Sequence, residues 1–126
     1  MWNGRRALRP ILVVDDDEAI REVLRDILVA EGHTVLCAPN GRVALELLRL
    51  VPEPSMIVLD LSMPIMTGRE LLAKLHEDTR FEGIPVMIIS GEGDARDLGA
   101  TQVLRKPLDV SRLLEIIDAH TAAIVR

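Results

Sequence analysis

Aromatic side chains are nearly missing from this chain: tyrosine is absent, and Trp2 and Phe81 are the only others. Any core must therefore be built from Leu, Ile, Val, Met and Ala. Cysteine is just as scarce. A lone Cys37 excludes a disulfide framework and a Cys-based metal site; within Thr34-Val35-Leu36-Cys37-Ala38 it reads as a small buried hydrophobe. Long apolar runs are also lacking. No segment approaches the roughly 18 residues of a membrane span. Asp15 interrupts Ile11–Val14 too early for a signal peptide. Basic charge is short as well, with 15 Lys and Arg against 20 Asp and Glu and a net charge of -5. The one basic stretch, Arg5, Arg6 and Arg9, is no basic face, which argues against direct nucleic-acid binding. The expected location is cytoplasmic, without membrane insertion.

What is present fits one domain. A chain of 126 residues that is 48% apolar and 28% charged has the balance of a globular protein and is too short for two separate cores. Short β-type runs alternate with helical periodicity. Ile11–Val14 is a continuous apolar run, as in a strand covered on both faces. Ile20, Val23, Leu24, Ile27 and Leu28 then recur on one helical face, ended by Gly32. Thr34–Ala38 reads as a second strand. Asn40 caps a helix with Val43, Ala44, Leu47 and Leu48 inward. Met56–Leu59, Val86–Ile89 and the weaker Gln102–Arg105 read as further strands. Leu71, Leu72 and Leu75 stripe a third helix. Asp109 or Ser111 caps a last one, which carries Leu113, Leu114, Ile116 and Ile117. Five strands alternating with helices imply right-handed crossovers and a doubly wound α/β fold with a parallel sheet. Residues 1–9 form a basic lead-in, and 10–126 the domain.

In such sheets, ligands bind beyond the carboxyl ends of the strands. Those ends carry Asp15-Asp16-Asp17, Asp60, Ser90 and Lys106. Crowded carboxylates repel one another unless a hard divalent cation sits among their oxygens, and Mg²⁺ suits such a cluster. Lysine and serine can hold phosphoryl oxygens, and a carboxylate can form an aspartyl phosphate. Asp17 reads as a helix N-cap rather than a ligand. His33, His76 and His120 lack metal-ligand spacing and are expected to face solvent. Gly91 and Gly93 form no phosphate loop. Met56, Met63, Met66 and Met87 read as core filler or loop packing.

The sequences Ile11-Leu12-Val13-Val14-Asp15-Asp16-Asp17, Ile57-Val58-Leu59-Asp60-Leu61-Ser62-Met63-Pro64, Val86-Met87-Ile88-Ile89-Ser90-Gly91 and Arg105-Lys106-Pro107-Leu108 stand in order at four strand ends. Together they resemble the receiver domain of two-component response regulators, of the chemotaxis-regulator type, from about Pro10 to His120. The resemblance implies a flavodoxin-like strand order 2-1-3-4-5 with helices on both faces. It implies Asp60 as phosphoacceptor from a phosphohistidine on a sensor histidine kinase or histidine phosphotransfer protein. Asp16 would bind Mg²⁺ directly, Asp15 mainly through water, and Ser62 through its backbone carbonyl. Lys106 would pair with the phosphoryl oxygens, and Ser90 would swing toward them. The Lys106–Pro107 bond is usually cis in the family.

Three residue choices depart from the family pattern. Thr67 precedes Gly68 where Asp is usual. Val103 stands where a switch aromatic is usual. The crossover from Gly91 to Thr101 allows only a shortened fourth helix, around Asp94–Leu98. The expectation is a single-domain response regulator rather than an enzyme, acting through an unknown downstream protein or onward transfer. Two alternatives are a degenerate receiver acting as a phosphorylation-independent interaction module, and a Mg²⁺-dependent phosphohydrolase. The second meets Ser62 where such enzymes place their general acid.

Overall fold

The computed structural model describes residues 9–50, 53–91 and 99–125, with side chains as far as Thr121. Five parallel strands, β1 (Ile11–Val14), β2 (Val35–Ala38), β3 (Met56–Asp60), β4 (Val86–Ser90) and β5 (Gln102–Arg105), lie in the order β2-β1-β3-β4-β5. This is the expected doubly wound order, with helices on both faces. The short helix expected around Asp94–Leu98 lies outside the described residues, as do residues 1–8.

Each helix starts where the sequence offers a cap. Helix α1 (Glu18–Ala30) begins at Asp17, whose carboxylate accepts from the Ala19 and Ile20 amides at 2.9 and 3.3 Å. Asn40 caps α2 (Gly41–Leu50) through the Val43 amide at 3.0 Å. Thr67 caps α3 (Gly68–His76) in a reciprocal box, accepting from the Glu70 amide while the Glu70 carboxylate accepts from its own. The departure from Asp thus keeps the cap. Asp109 caps α4 (Val110–Val125) by accepting from the Arg112 amide.

Alternation along the central strands divides the core into two layers. Leu12, Val14, Ile57, Leu59 and Ile88 pack under α2 and α3. Ile11, Val13, Met56, Val58, Met87 and Ile89 pack under α1 and α4, against Leu24, Leu28, Leu113 and Ile117. Both faces of β1, β3 and β4 are therefore covered, which explains their unbroken apolar runs. Met56, Met63 and Met87 are buried in these layers.

Three side chains sit differently from their sequence reading. Val23, expected inward, is 54% exposed, because Ile20, Leu24 and Leu28 alone cover the sheet and leave it at the stripe's edge. His33, expected in solvent, is buried; α4 closes over it, with its Nε2 3.9 Å from the Asp118 carboxylate. Cys37 is only half-buried, since β2 is an edge strand. His76 is exposed and His120 half-buried.

Candidate functional site

The sheet register builds the site. Val14 pairs with Leu59, so Asp15 and Asp60 follow directly at the ends of neighbouring strands. Both continue the alternation onto the α1 side, and both are buried. Asp16 turns outward at the rim. One carboxylate oxygen from each of Asp15, Asp16 and Asp60 falls within 4.8 Å of the others. Ser90 ends β4 and is buried. The Lys106 amide donates to the Ser90 carbonyl at 2.9 Å, tying the chain beyond β5 to β4. That tie brings the Lys106 ammonium to 3.9 Å from Asp60 Oδ1. The Lys106–Pro107 peptide is cis.

Backbone donors orient the two buried acids. Asp15 Oδ1 accepts from the Asp17 amide at 2.9 Å, and Asp60 Oδ1 from the Ser62 amide at 3.3 Å. Burial raises the Asp15 carboxyl above its ordinary range. Burial first, then the negative charge of Asp15, pushes Asp60 up to about 6, against the pull of Lys106 and the Ser62 amide. Folded Asp60 thus holds its proton more tightly than the unfolded chain does. Its contribution is lost as pH rises through about 6, so metal-free stability should increase on acidification from pH 7 toward 5. The Asp60 share, about 1 kcal/mol over that range, should make the gain on acidification larger in thermal melts of wild type than of Asp60→Asn, which keeps only the share of Asp15. Equal pH profiles for the two proteins would refute it.

These groups line a cleft of about 780 Å³. Its donors are oxygens, two of the three carboxylates are buried, and the negative charge of Asp15 adds to the burial that raises Asp60. That set fits a hard divalent cation. Ser62 lies exposed on the rim.

The sequence reading missed Arg69 as a cleft residue, and it took Arg21 for an exposed docking residue of the first helix rather than a support of the Asp15 backbone. Arg69, exposed in the first turn of α3, lines the same cleft. It is there because Gly68 packs against the end of β3: a Cβ on Gly68 would collide with the Asp60 carbonyl and come within 2.7 Å of the Leu61 Cα. Arg21 is half-buried, and its Nη1 donates to the Asp15 carbonyl at 2.7 Å. No local pattern separates either from an ordinary surface arginine. Val103, at the place of the usual aromatic, is half-buried against the α2–α3 layer. Glu92, beside the expected site in sequence, lies outside the described residues.

Comparison with known proteins agrees with this geometry. Two-component response regulator ORR5 of Oryza sativa subsp. japonica is 42% identical over 112 residues, covering 82% of this chain and 84% of that protein. The chemotaxis protein CheY4 of Vibrio cholerae superposes with a TM-score of 0.81 at 28% identity, over 90% of this chain and 99% of its own. The signal receiver domain of a signal transduction histidine kinase from Syntrophus aciditrophicus gives 0.84 at 28% identity, over 94% and 93%. Residues 11–118 match the family described as the response regulator receiver domain, and the chain belongs to that family.

Proposed function

We propose that this chain accepts a phosphoryl group on Asp60 from a phosphohistidine of a sensor histidine kinase or histidine phosphotransfer protein, as a cytoplasmic, single-domain response regulator formed by residues 10–126. The observation that carries this reading is the convergence of three carboxylates within 4.8 Å, one of them 3.9 Å from a lysine ammonium. The Ser62 amide and Lys106 both engage Asp60 Oδ1, which leaves the second oxygen for attack on phosphorus. An O–P bond forms there while the N–P bond to histidine breaks, and the imidazole nitrogen keeps the electron pair. Lys106 then follows the charge onto the phosphoryl oxygens, and the Ser90 hydroxyl turns toward them. Mg²⁺, held by Asp15, Asp16, Asp60 and the Ser62 carbonyl, would when bound neutralise charge on the transferring group. The reading is tested by intact mass after incubation with acetyl phosphate, with and without Mg²⁺. One added phosphoryl group that needs Mg²⁺ supports it; no addition under conditions that label other receivers returns the chain to an interaction module.

The donor's docking face is proposed at α1. Val23, Pro107, Leu108 and Val110 line an almost wholly apolar groove of about 430 Å³ beside the cleft. Val23→Asp should slow transfer from a phosphorylated kinase about tenfold, the scale of one buried apolar contact at an interface. Labelling by acetyl phosphate should not change, and equal slowing with both donors would refute docking there. Arg25, exposed on α1, is a second probe; Arg21 is a poor one, since it also supports the Asp15 backbone.

A further inference from the structure

Helix α1 begins where the acidic turn Asp15–Asp17 ends, and one of its side chains reaches back over that turn. Cα–Cβ bonds in a helix tilt toward its N-terminus, so a long side chain one turn in can meet the chain that enters the helix. Arg21 stands there, with its own amide donating to the Asp17 carbonyl at 3.0 Å. Its half-buried guanidinium donates from Nη1 to the Asp15 carbonyl at 2.7 Å. That carbonyl lies beyond Val14, where the ladders of β1 to both neighbours end. A charged donor supplies what the strands do not.

The bond completes a frame around Asp15. The Asp15 amide donates to the Ala38 carbonyl at 3.1 Å, and the Asp17 amide holds the Asp15 carboxylate at 2.9 Å. With the carbonyl held as well, the peptide plane between Asp15 and Asp16 is fixed, because the carbonyl oxygen and the Asp16 Cα belong to one rigid unit. Asp16 is exposed, so the aim of its carboxylate depends on that plane rather than on packing. Charge plays a smaller part. Burial raises Asp15, Asp60 and Cys37 alike; the opposing cation is Lys106 at both acids, whereas it is Arg25 and then Arg21 at Cys37. Arg21 thus reaches the acidic cluster through a backbone carbonyl, not through its field.

We propose that Arg21 is a positioning residue for the metal ligands: by holding the Asp15 carbonyl it aims Asp16, and so sets the affinity for Mg²⁺. This rests on the phosphoacceptor reading above. A cation at this place could act in two ways of opposite sign. Loss of a nearby positive charge alone would tighten Mg²⁺ binding, whereas loss of the frame weakens it. The test measures the Mg²⁺ Kd by titration calorimetry, the metal-free Tm, and acetyl phosphate labelling across Mg²⁺ concentrations. It compares wild type with Arg21→Met and Arg21→Lys. Arg21→Met keeps the apolar stem and removes the bond; its Kd should rise about tenfold, with labelling half-saturating at correspondingly higher Mg²⁺. Arg21→Lys, with one compact ammonium donor, should bring the Kd back to within about threefold of wild type. Arg21→Gln, neutral and too short to reach the carbonyl, takes the place of Arg21→Met if that variant does not fold, with the same expected Kd. An unchanged or smaller Kd in the neutral variant overturns the proposal, as does an Arg21→Lys Kd no better than the neutral one. A lower Tm with unchanged Kd would make Arg21 a support of the fold alone. Wild type that binds no Mg²⁺ also overturns the proposal. Wild type that binds Mg²⁺ but takes up no phosphoryl group marks failure of the phosphoacceptor reading, while the Kd comparison still decides the role of Arg21.

Discussion

Asp60→Asn is expected to take up no phosphoryl group from acetyl phosphate in Mg²⁺ while the wild-type chain takes up one. The carboxamide keeps the size of the side chain and can still accept from the Ser62 amide, yet it lacks a nucleophilic oxygen anion. Of the carboxylates in the cleft, only Asp60 combines burial with a lysine ammonium at 3.9 Å. Asp15 is turned onto the Asp17 amide and Asp16 is exposed, so neither should substitute. The same change should make the metal-free protein more stable near neutral pH. It removes a charge that burial and Asp15 disfavour, a gain on the order of 2 kcal/mol. A variant that loses function while its Tm rises cannot be dismissed as misfolded. Labelling of Asp60→Asn at the wild-type level would move the acceptor elsewhere.

Gly68→Ala should cause the largest loss of stability from the smallest change in volume. The added methyl would collide with the Asp60 carbonyl and sit 2.7 Å from the Leu61 Cα, both backbone atoms without freedom to rotate away. Relief requires α3 or the end of β3 to shift, breaking the hydrogen bond from the Gly68 amide to the Leu61 carbonyl. A cost of about 2–4 kcal/mol follows, measurable by urea denaturation. Because the displaced segment carries Asp60, acetyl phosphate labelling of the folded fraction should fall about tenfold or more. Gly83→Ala is the control: its φ of +88° makes alanine strained, but no atom lies within 4 Å of the added methyl. It should cost only about 1 kcal/mol and leave labelling untouched. Comparable labelling losses in both variants would show that Gly68 has no special relation to the acceptor.

The strand ends were legible in the sequence because strand alternation and parallel pairing leave little choice. Once Ile11–Val14 and Met56–Leu59 are central strands, the residues following them share one edge. Asp17, Asn40 and Asp109 were readable as caps for a similarly local reason, since each bonds to a backbone amide two or three residues ahead. Thr67 and Glu70 carried the capping-box spacing, although the position first stood out as a departure from Asp. Other features depended on partners distant in sequence. His33 is buried by α4, whose Asp118 lies near its ring. Arg69 faces the cleft because Gly68 allows a backbone contact with β3. Ile65, in the loop between β3 and α3, gives no local warning of its positive φ, since isoleucine is among the residues least associated with one.

The order in which the site's members leave the ribosome has a consequence of its own. Asp15 and Asp60 emerge first, but the lysine reaches them only through the Lys106 amide bound to the Ser90 carbonyl, beyond the fifth strand. A nascent chain that has made β1 and β3 therefore presents paired acids without their cation and without the strand that aligns it. Unfinished or clipped molecules should be mute in the signalling traffic, drawing no phosphoryl groups away from complete ones. On the phosphoacceptor reading, the site is whole only once β5 and Lys106 have followed the two acids.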